Sequence, residues 1–292
     1  MKRPVIVGIG ELLWDVFPDR KRAGGAPVNF VYHASQLGAE GYAISAVGND
    51  VFGSEILQEL KRNHIGHLIE TVDHPTGSVR VELANGIPSY TITEKVAWDY
   101  IPLTQASIEL VRRADALCFG TLAQRSAVSR ETIATLLGYA PADALRFFDV
   151  NIREKYYSKE LIASCLEKAD IFKANDEELA LLSEMFGQRG KQEDVCRWFL
   201  QTYGLRYFIL TAGSEYSAVY GIEGTSVIPT PSVRVADTVG AGDAFSGAFT
   251  YAILTGTPLA EAHAKAVDIA AFVCTRDGAW PEYDQPHKTR EQ

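Results

Sequence analysis

Short runs of β-branched and aromatic residues alternate along the chain with longer segments in which apolar residues recur every three to four positions. The short runs predict β-strands and the longer segments predict amphipathic helices. The predicted strands are 5–9, 42–47, 116–119, 146–150, 171–173 and 207–211. The predicted helices are 28–37, 52–63, 105–114, 130–140, 159–168 and 176–186. This alternation predicts an α/β fold in which helices cover both faces of a mostly parallel sheet.

Two segments depart from this alternation and read as hairpins. Residues 77–93 alternate in polarity around Asn85-Gly86, a dipeptide favoured in tight two-residue turns, and residues 216–229 alternate around 221–224. The first hairpin predicts a small β appendage on the main sheet. Because no repeat, low-complexity segment or Pro/Gly/Ser-rich linker divides the sequence, we expect a single domain over 1–292, with a surface tail at 284–292.

The composition is that of an ordinary globular protein, with 292 residues, 47% hydrophobic and 22% charged. The formal net charge of -9 disfavours a nucleic-acid partner, although a site for a small anion needs only local N–H groups and a metal ion. The apolar run that begins at Val5 ends at Glu11, which is too short for a signal peptide, and no window is apolar enough for a membrane helix. We therefore expect a cytoplasmic protein with no membrane partner.

The cysteines and histidines show no pattern that carries chemistry. The four cysteines have no paired spacing, which favours buried reduced thiols over a zinc or redox motif. The six histidines form no catalytic or metal-binding arrangement, and we expect them at the surface.

A phosphate-binding motif is the strongest local signal, although two familiar versions are excluded. A dinucleotide fingerprint starting at Gly8 would place its third glycine at Leu13, and the lysine-containing P-loop pattern is absent. The remaining candidate is Asp-Thr-Val-Gly-Ala-Gly-Asp at 237–243, which continues into a helix of small residues. Gly240 and Gly242 let backbone N–H groups converge, and the helix N-terminus adds its positive dipole. This predicts an anion-binding loop without a lysine.

Asp243 would lie in the first turn of that helix. There a carboxylate can accept the proton of a substrate hydroxyl while the N–H groups stabilise charge on a transferred phosphoryl group. The alternative is an ordinary helix cap or dipole partner. Two glycines and two aspartates in so short a segment favour a site.

Residues 237–243 resemble, in residue type and spacing, the C-terminal signature of the ribokinase-like (PfkB-type) carbohydrate kinases. Residues 24–29, Gly-Gly-Ala-Pro-Val-Asn, and the segments 37–39 and 47–53 are similar to the family's N-terminal signature. The resemblance extends from the first strand to Gly278. It implies a three-layer α/β/α fold with a mostly parallel central sheet and a small projecting β lid formed mainly from about 10–24 and 74–100.

The resemblance implies a role for individual residues. Asp243 would be the base, and Gly240, Ala241 and Gly242 would form the anion hole. The implied sugar-binding residues are Asp15, Gly25, Asn29, Arg125 and Arg153, and the implied nucleotide-binding residues are Asn175, Glu178, Thr211 and Gly213. Glu178 would also hold Mg²⁺ through a water molecule. For Arg125 and Arg153 a surface ion pair is the alternative, for Asn29 a helix cap, and for Trp14 packing in the core rather than against the sugar.

The implied activity is transfer of the γ-phosphate of ATP to a sugar hydroxymethyl group with Mg²⁺. Segments 14–24, 97–99 and 120–125 are most similar to bacterial fructokinases. Ribose, a nucleoside, 2-keto-3-deoxygluconate, an acid sugar or a sugar phosphate stay open as the acceptor, and so does a non-catalytic sugar-binding regulator. Segment 273–278 matches the position where several relatives bind a monovalent cation such as K⁺. Because pairing two lids would cover their edges, we expect a homodimer.

Overall fold

A computed structural model describes residues 3–84 and 87–283, and a sheet of nine strands forms its centre. Seven neighbouring strands are parallel, and an antiparallel hairpin extends one end. Along the sheet lie β13 (Gly224–Pro229), β12 (Tyr216–Gly221), β11 (Tyr207–Ala212), β10 (Ile171–Asn175), β9 (Leu145–Asp149), β8 (Ala116–Phe119), β1 (Val5–Ile9), β4 (Glu40–Gly48) and β5 (Gly66–Val72).

A second sheet of four strands, here called the lid sheet, stands apart from the first. In spatial order it contains β3 (Lys21–Gly24), β2 (Leu13–Val16), β6 (Gly77–Ala84) and β7 (Ile87–Ile92). All four strands fall in the segments predicted for the lid. The hairpin of β6 and β7 has the predicted register, while its turn at 85–86 and the predicted tail at 284–292 lie outside the described residues.

Helices cover both faces of the large sheet and complete the predicted three layers. One face is covered by α1 (Ala26–Gln36), α2 (Val51–Arg62), α8 (Ala241–Leu254) and α9 (Leu259–Cys274). The other is covered by α3 (Gln105–Val111), α4 (Ala127–Tyr139), α5 (Lys159–Leu166), α6 (Asp176–Phe186) and α7 (Gln192–Thr202). In the part of the chain that the structure describes, no helix combines the length and apolar character needed to cross a membrane.

The order of the strands determines where a ligand can bind. From β1 the chain moves to β4 and β5 on one side, and then returns to β8 and onward on the other side. The direction therefore reverses between β1 and β8. In open α/β sheets such a reversal leaves a crevice at the carboxyl ends of the strands, and ligands bind there.

Two histidines correct the expectation of a solvated surface, because His33 and His263 are fully buried. Each is partnered: His33 Nδ1 lies 2.8 Å from the Tyr283 hydroxyl, and His263 contacts two serine hydroxyls. Burial lowers the pKa of His33 to about 3 and that of His263 to about 4, so both rings are neutral and can be buried. The cysteines are free thiols, and three of the four are buried as predicted.

Candidate active site

A cleft opens at the carboxyl ends of β8 and β9, next to the reversal in strand order. The N-terminal ends of α1 and α8 form its opposite wall. It is lined by Ala26, Pro27, Phe30, Cys118, Phe119, Gly120, Asp149, Asn151, Asp243 and Ser246. The predicted base therefore lies in the crevice that the topology indicates.

The loop before α8 has the geometry that an anion-binding turn needs. Gly240 caps the helix with φ of 80°, in the left-handed region, and a Cβ added there would lie 2.8 Å from the Cβ of Ala279. Only glycine fits this position without strain. The N–H groups of the first turn have no partner within the helix, and so they are available to an anion in front of it.

Asp243 is held by a chain of two hydrogen bonds. The Asn29 side-chain amide donates to Asp243 Oδ2 at 2.7 Å, and the Trp280 indole N–H donates to Asn29 Oδ1 at 2.8 Å. The indole therefore fixes which end of the amide faces the carboxylate. Burial, and then the charge of Asp149, raise the pKa of Asp243 to about 6. A carboxylate with this pKa is ionised at neutral pH and is a stronger base than an exposed aspartate.

A lysine that the sequence reasoning missed lies beside the anion-binding loop. Lys173 and Asp149 are register partners on β10 and β9, and Lys173 Nζ donates to Asp149 Oδ2 at 2.7 Å. Both side chains are buried. A Cβ added at Gly242 would lie 3.4 Å from Nζ. The expectation of a loop without a lysine is thus wrong for the assembled site, because a neighbouring strand supplies one.

The sugar-facing residues gather where the lid sheet meets α1. Asp15 on β2 is the register partner of Arg22 on β3, and burial raises the pKa of Asp15 to about 6 against the opposing charges of Arg153 and Arg22. Gly25 caps α1 with φ of 129°, and a Cβ there would lie 2.1 Å from the backbone oxygen of Glu11. This contact requires a glycine and brings the backbone of the two segments together.

Glu11 is a second buried acid that the sequence reasoning did not single out. Its Oε1 accepts the N–H of Ala26 at 3.2 Å, whereas Oε2 has no hydrogen-bond partner among the described residues. Burial raises its pKa to about 7. Its position directly after β1, at the reversal in strand order, is the signal that could have found it.

The two candidate arginines differ in how fully they are engaged. Arg125 Nε and Nη2 form a bidentate pair with Asp99, at 2.8 and 2.9 Å, and its guanidinium lies over the Trp98 ring. Arg153 is exposed, and its hydrogen bond within the described residues is to the backbone oxygen of Ile152. Its charge lowers the pKa of Asp15 and of Asp243. Arg153 is therefore near both acids and free to contact a ligand.

The predicted nucleotide-binding residues meet at the ends of β10 and β11. Asn175 is the register partner of Thr211, and Gly213 follows with φ of 49°. Asn175 and Glu178 form a reciprocal cap at the start of α6: Asn175 Oδ1 accepts the Glu178 N–H at 2.7 Å, and Glu178 Oε2 accepts the Asn175 N–H at 2.8 Å. Glu178 Oε1 also accepts the Ile152 N–H. Burial, and then Asp149, raise the pKa of Glu178.

These contacts bear on the predicted Mg²⁺ ligand. Each Glu178 oxygen already accepts one N–H, so what it still offers is a second lone pair. That suits a hydrogen bond from a metal-bound water better than direct coordination, and Mg²⁺ keeps several waters when it binds with substrate phosphates. Within 3–84 and 87–283, no group of three or more His, Cys, Asp or Glu residues is arranged to hold a metal on its own.

Two further predictions concern Trp14 and segment 273–278. Trp14 is buried, and its indole donates to the backbone oxygen of Phe52, which is the core-packing alternative. Asp237 Oδ2 accepts the Gly278 N–H and lies 2.5 Å from Arg22 Nη1, so a guanidinium occupies one side of the segment where a monovalent cation is expected.

Residues 10–285 match the pattern that defines the pfkB family carbohydrate kinases. A fructokinase of Rhizobium leguminosarum is 25% identical, over 98% of this chain and 90% of its own length. An ATP-dependent 6-phosphofructokinase of Thermoanaerobacterium thermosaccharolyticum is 26% identical, over 95% and 90%. The structure of a sugar kinase of Pyrococcus horikoshii in complex with ATP is similar with a TM-score of 0.79 and 29% identity, covering 94% of each chain.

Proposed function

Because the chain belongs to the pfkB family of carbohydrate kinases and is thus a sugar phosphotransferase, we propose that it transfers the γ-phosphoryl group of ATP to the hydroxymethyl group of fructose. The acceptor oxygen lies between Asp243 and the phosphoryl group, which the N–H groups of Gly240, Ala241 and Gly242 face. Asp15, Gly25 and Asn29 hold the sugar hydroxyls. Asn175, Thr211 and Gly213 contact the nucleotide.

The observation that carries this proposal is the position of Asp243. Its carboxylate lies in the first turn of α8, beside the N–H groups of the anion-binding loop, and Asn29 holds it from the opposite helix at 2.7 Å. A base and an anion hole at one helix terminus are what an in-line phosphoryl transfer needs, since positioning and electrostatics supply most of its catalysis. A sugar-binding regulator would have no use for a base with a raised pKa.

The oxygen-rich edge near Glu178 and Asp149 suits a hydrated Mg²⁺ that arrives with ATP, and such an ion supplies neutralisation of phosphate charge. In this arrangement Glu178 accepts a hydrogen bond from a metal-bound water. Asp243 takes the proton of the acceptor hydroxyl, and the helix N-terminus stabilises the charge on the phosphoryl oxygens.

A phosphorylated sugar is the second candidate acceptor, and Arg153 is the observation that favours it. Its guanidinium is exposed beside Asp15 and Asp243, and an arginine there can bind a phosphate bidentately. The relative that is a 6-phosphofructokinase makes this alternative concrete. Arg125, in contrast, retains Nη1 as its uncommitted donor.

The test is ADP release with Mg²⁺ and ATP, with and without K⁺, across fructose, ribose, glucose, 2-keto-3-deoxygluconate, adenosine and fructose 6-phosphate. We expect fructose to have the highest kcat/KM. A higher value for fructose 6-phosphate, lost in Arg153→Met, would transfer the assignment to the second candidate. No turnover on any acceptor, in protein that binds ATP, would contradict the kinase assignment for this panel.

A homodimer through the lid sheets is part of the same proposal. In the lid sheet β7 is an edge strand, and an open edge is stabilised by pairing with a second copy. Sedimentation equilibrium should give about twice 32.0 kDa at micromolar concentration, and a monomer at high concentration would contradict it. We also infer that the protein works in the cytoplasm, where ATP is available.

A further inference from the structure

Lys173 stands at the centre of the site with no part in the reaction described above. It lies on β10, and it is 7% exposed. An ammonium group has three N–H donors. Within the residues that the structure describes, the hydrogen bond of Lys173 is to Asp149 Oδ2 at 2.7 Å. Two donors are thus available for a ligand.

The ammonium group borders the anion-binding loop directly. A Cβ built on Gly242 would be in contact with Nζ at 3.4 Å, so the glycine leaves the ammonium uncovered on the side of the loop. The first turn of α8 and Lys173 therefore present N–H donors to the same space. Burial works against the charge of Lys173, but Asp149, and then Glu178 and Asp243, outweigh it and raise its pKa. The group keeps its proton at neutral pH.

We propose that Lys173 is a catalytic residue that donates hydrogen bonds to the γ-phosphoryl group during transfer, and that Asp149 is the residue that positions it. This inference rests on the proposed kinase activity. In the step itself the acceptor oxygen forms a bond to the γ-phosphorus, and the bond from that phosphorus to the β–γ bridging oxygen breaks. The hydroxyl proton passes to Asp243, and ADP leaves with the electron pair. Lys173 remains protonated throughout.

The alternative is a buried ion pair that serves only the fold. Such pairs are weak evidence of a stabilising role, since an apolar pair of similar size is often as stable. The neighbours of Lys173 on β10, Phe172 and Ala174, are fully buried and apolar, so an apolar residue at 173 would suit the sheet. The charge is retained at the one position of the strand that borders the anion-binding loop.

The experiment separates the two roles with a single and a double variant. Lys173→Met leaves Asp149 buried without a partner, whereas Lys173→Met with Asp149→Leu removes the pair as a whole and protects the fold. We expect kcat to fall about 10²–10³-fold in both, the usual cost of losing one donor to the developing charge, with the sugar KM within about three-fold of wild type. A folded double variant with turnover within ten-fold of wild type would overturn the proposal.

A second readout needs no acceptor and thus does not depend on which sugar is used. ADP with Mg²⁺ and tetrafluoroaluminate mimics the transferring phosphoryl group, and its binding can be measured by calorimetry against ADP with Mg²⁺ alone. We expect Lys173→Met to weaken the aluminate complex at least about 50-fold and to leave ADP binding within three-fold. Equal binding of the aluminate complex by wild type and variant would refute the role of Lys173, whereas silence of the wild type across the sugar panel would refute the proposed acceptors instead.

Discussion

Lys173 and Asp149 stand on adjacent strands of the nine-stranded sheet, whereas Asp15 and Arg22 stand on the four-stranded lid sheet, and the two pairs are held in place differently. On the nucleotide side, parallel register and full burial fix each side chain. On the sugar side, the lid sheet is joined to the rest of the molecule by ion pairs: Arg22 with Asp237 and Asp277, Lys21 with Glu55, and Arg125 with Asp99.

This difference indicates which part of the reaction is rigid. A strand in the middle of a close-packed sheet cannot shift without disturbing its neighbours. Ion pairs with one exposed partner, such as Asp277 at 75% exposure, are individually weak and are screened by salt. We infer that the phosphoryl-transfer groups are fixed before substrate binds, while the lid adjusts around the sugar. The predictions below test this inference.

The largest effect is expected from Asp243→Asn, on the rigid side. The amide keeps an oxygen for the Asn29 hydrogen bond but cannot take a proton, so kcat should fall about 10²–10⁴-fold. ATP affinity should change little, because the N–H groups of the loop are intact. Steady-state kinetics and calorimetry measure both quantities. Turnover near that of wild type would reject Asp243 as the base.

The same residue gives a pH dependence whose direction can be worked out. Asp243 must be ionised to act, and its pKa is raised from 3.8 to about 6, so kcat/KM should fall as the pH drops below about 6. A raised pKa also means that the ionised carboxylate costs stability once the pH rises above about 6. Asp243→Asn should therefore raise the free energy of unfolding at pH 8 by up to about 3 kcal/mol, and not at pH 3.

Urea unfolding of wild type and variant at pH 8 and pH 3 checks the stability difference. A variant that is less stable than wild type at pH 8 would contradict the assigned burial of the charge. For activity, a kcat/KM profile that stays flat down to pH 4.5 would contradict the raised pKa.

A smaller effect is expected from Asp15→Ala, on the lid side. Losing hydrogen bonds from a carboxylate to the sugar should raise the sugar KM about 10–100-fold and change kcat much less. The ATP KM is the internal control, and it should stay constant. An unaltered sugar KM would remove Asp15 from the sugar site.

The smallest effect is expected from Arg22→Met, which cuts the link between the lid sheet and the loop before α8. Exposed and half-exposed ion pairs contribute little, so the sugar KM should rise only about two- to five-fold. The KM of wild type should rise with added salt, while that of the variant should not. Arg20→Met is the matched control, because Arg20 pairs with Asp19 on the same lid segment and both side chains are exposed. Equal effects from both variants would contradict the specific link.

The sequence predicted the rigid part of the molecule better than the rest. The predicted α6 has the bounds that the structure shows, and most predicted strands match within a few residues, because buried parallel strands and amphipathic helices have strong periodicities. The predictions omitted β5, α7 and α9. The half-buried β5 shows neither a continuous apolar run nor a regular alternation that would have marked it.

The site was predicted where its residues are neighbours in sequence and missed where they are not. Residues 237–243 carry their geometry in their own order of glycines and aspartates. Lys173 is part of the site because β10 lies next to β9, and Trp280 is part of it through a contact with a residue 251 positions away. Neither relation can be read from one sequence, since it depends on which strands pair and how the ends of the chain fold back.

The late position of Trp280 also has a consequence for synthesis. Asn29, Tyr32 and His33 on α1 each bond to a residue in 280–283, separated by 249 to 251 positions along the chain. At a ribosomal rate of about 5–20 residues per second, α1 waits about 10–50 seconds for these partners. Throughout that interval the nascent chain holds a base whose orienting amide is unsecured. Assembly of the catalytic centre is therefore among the last events of translation.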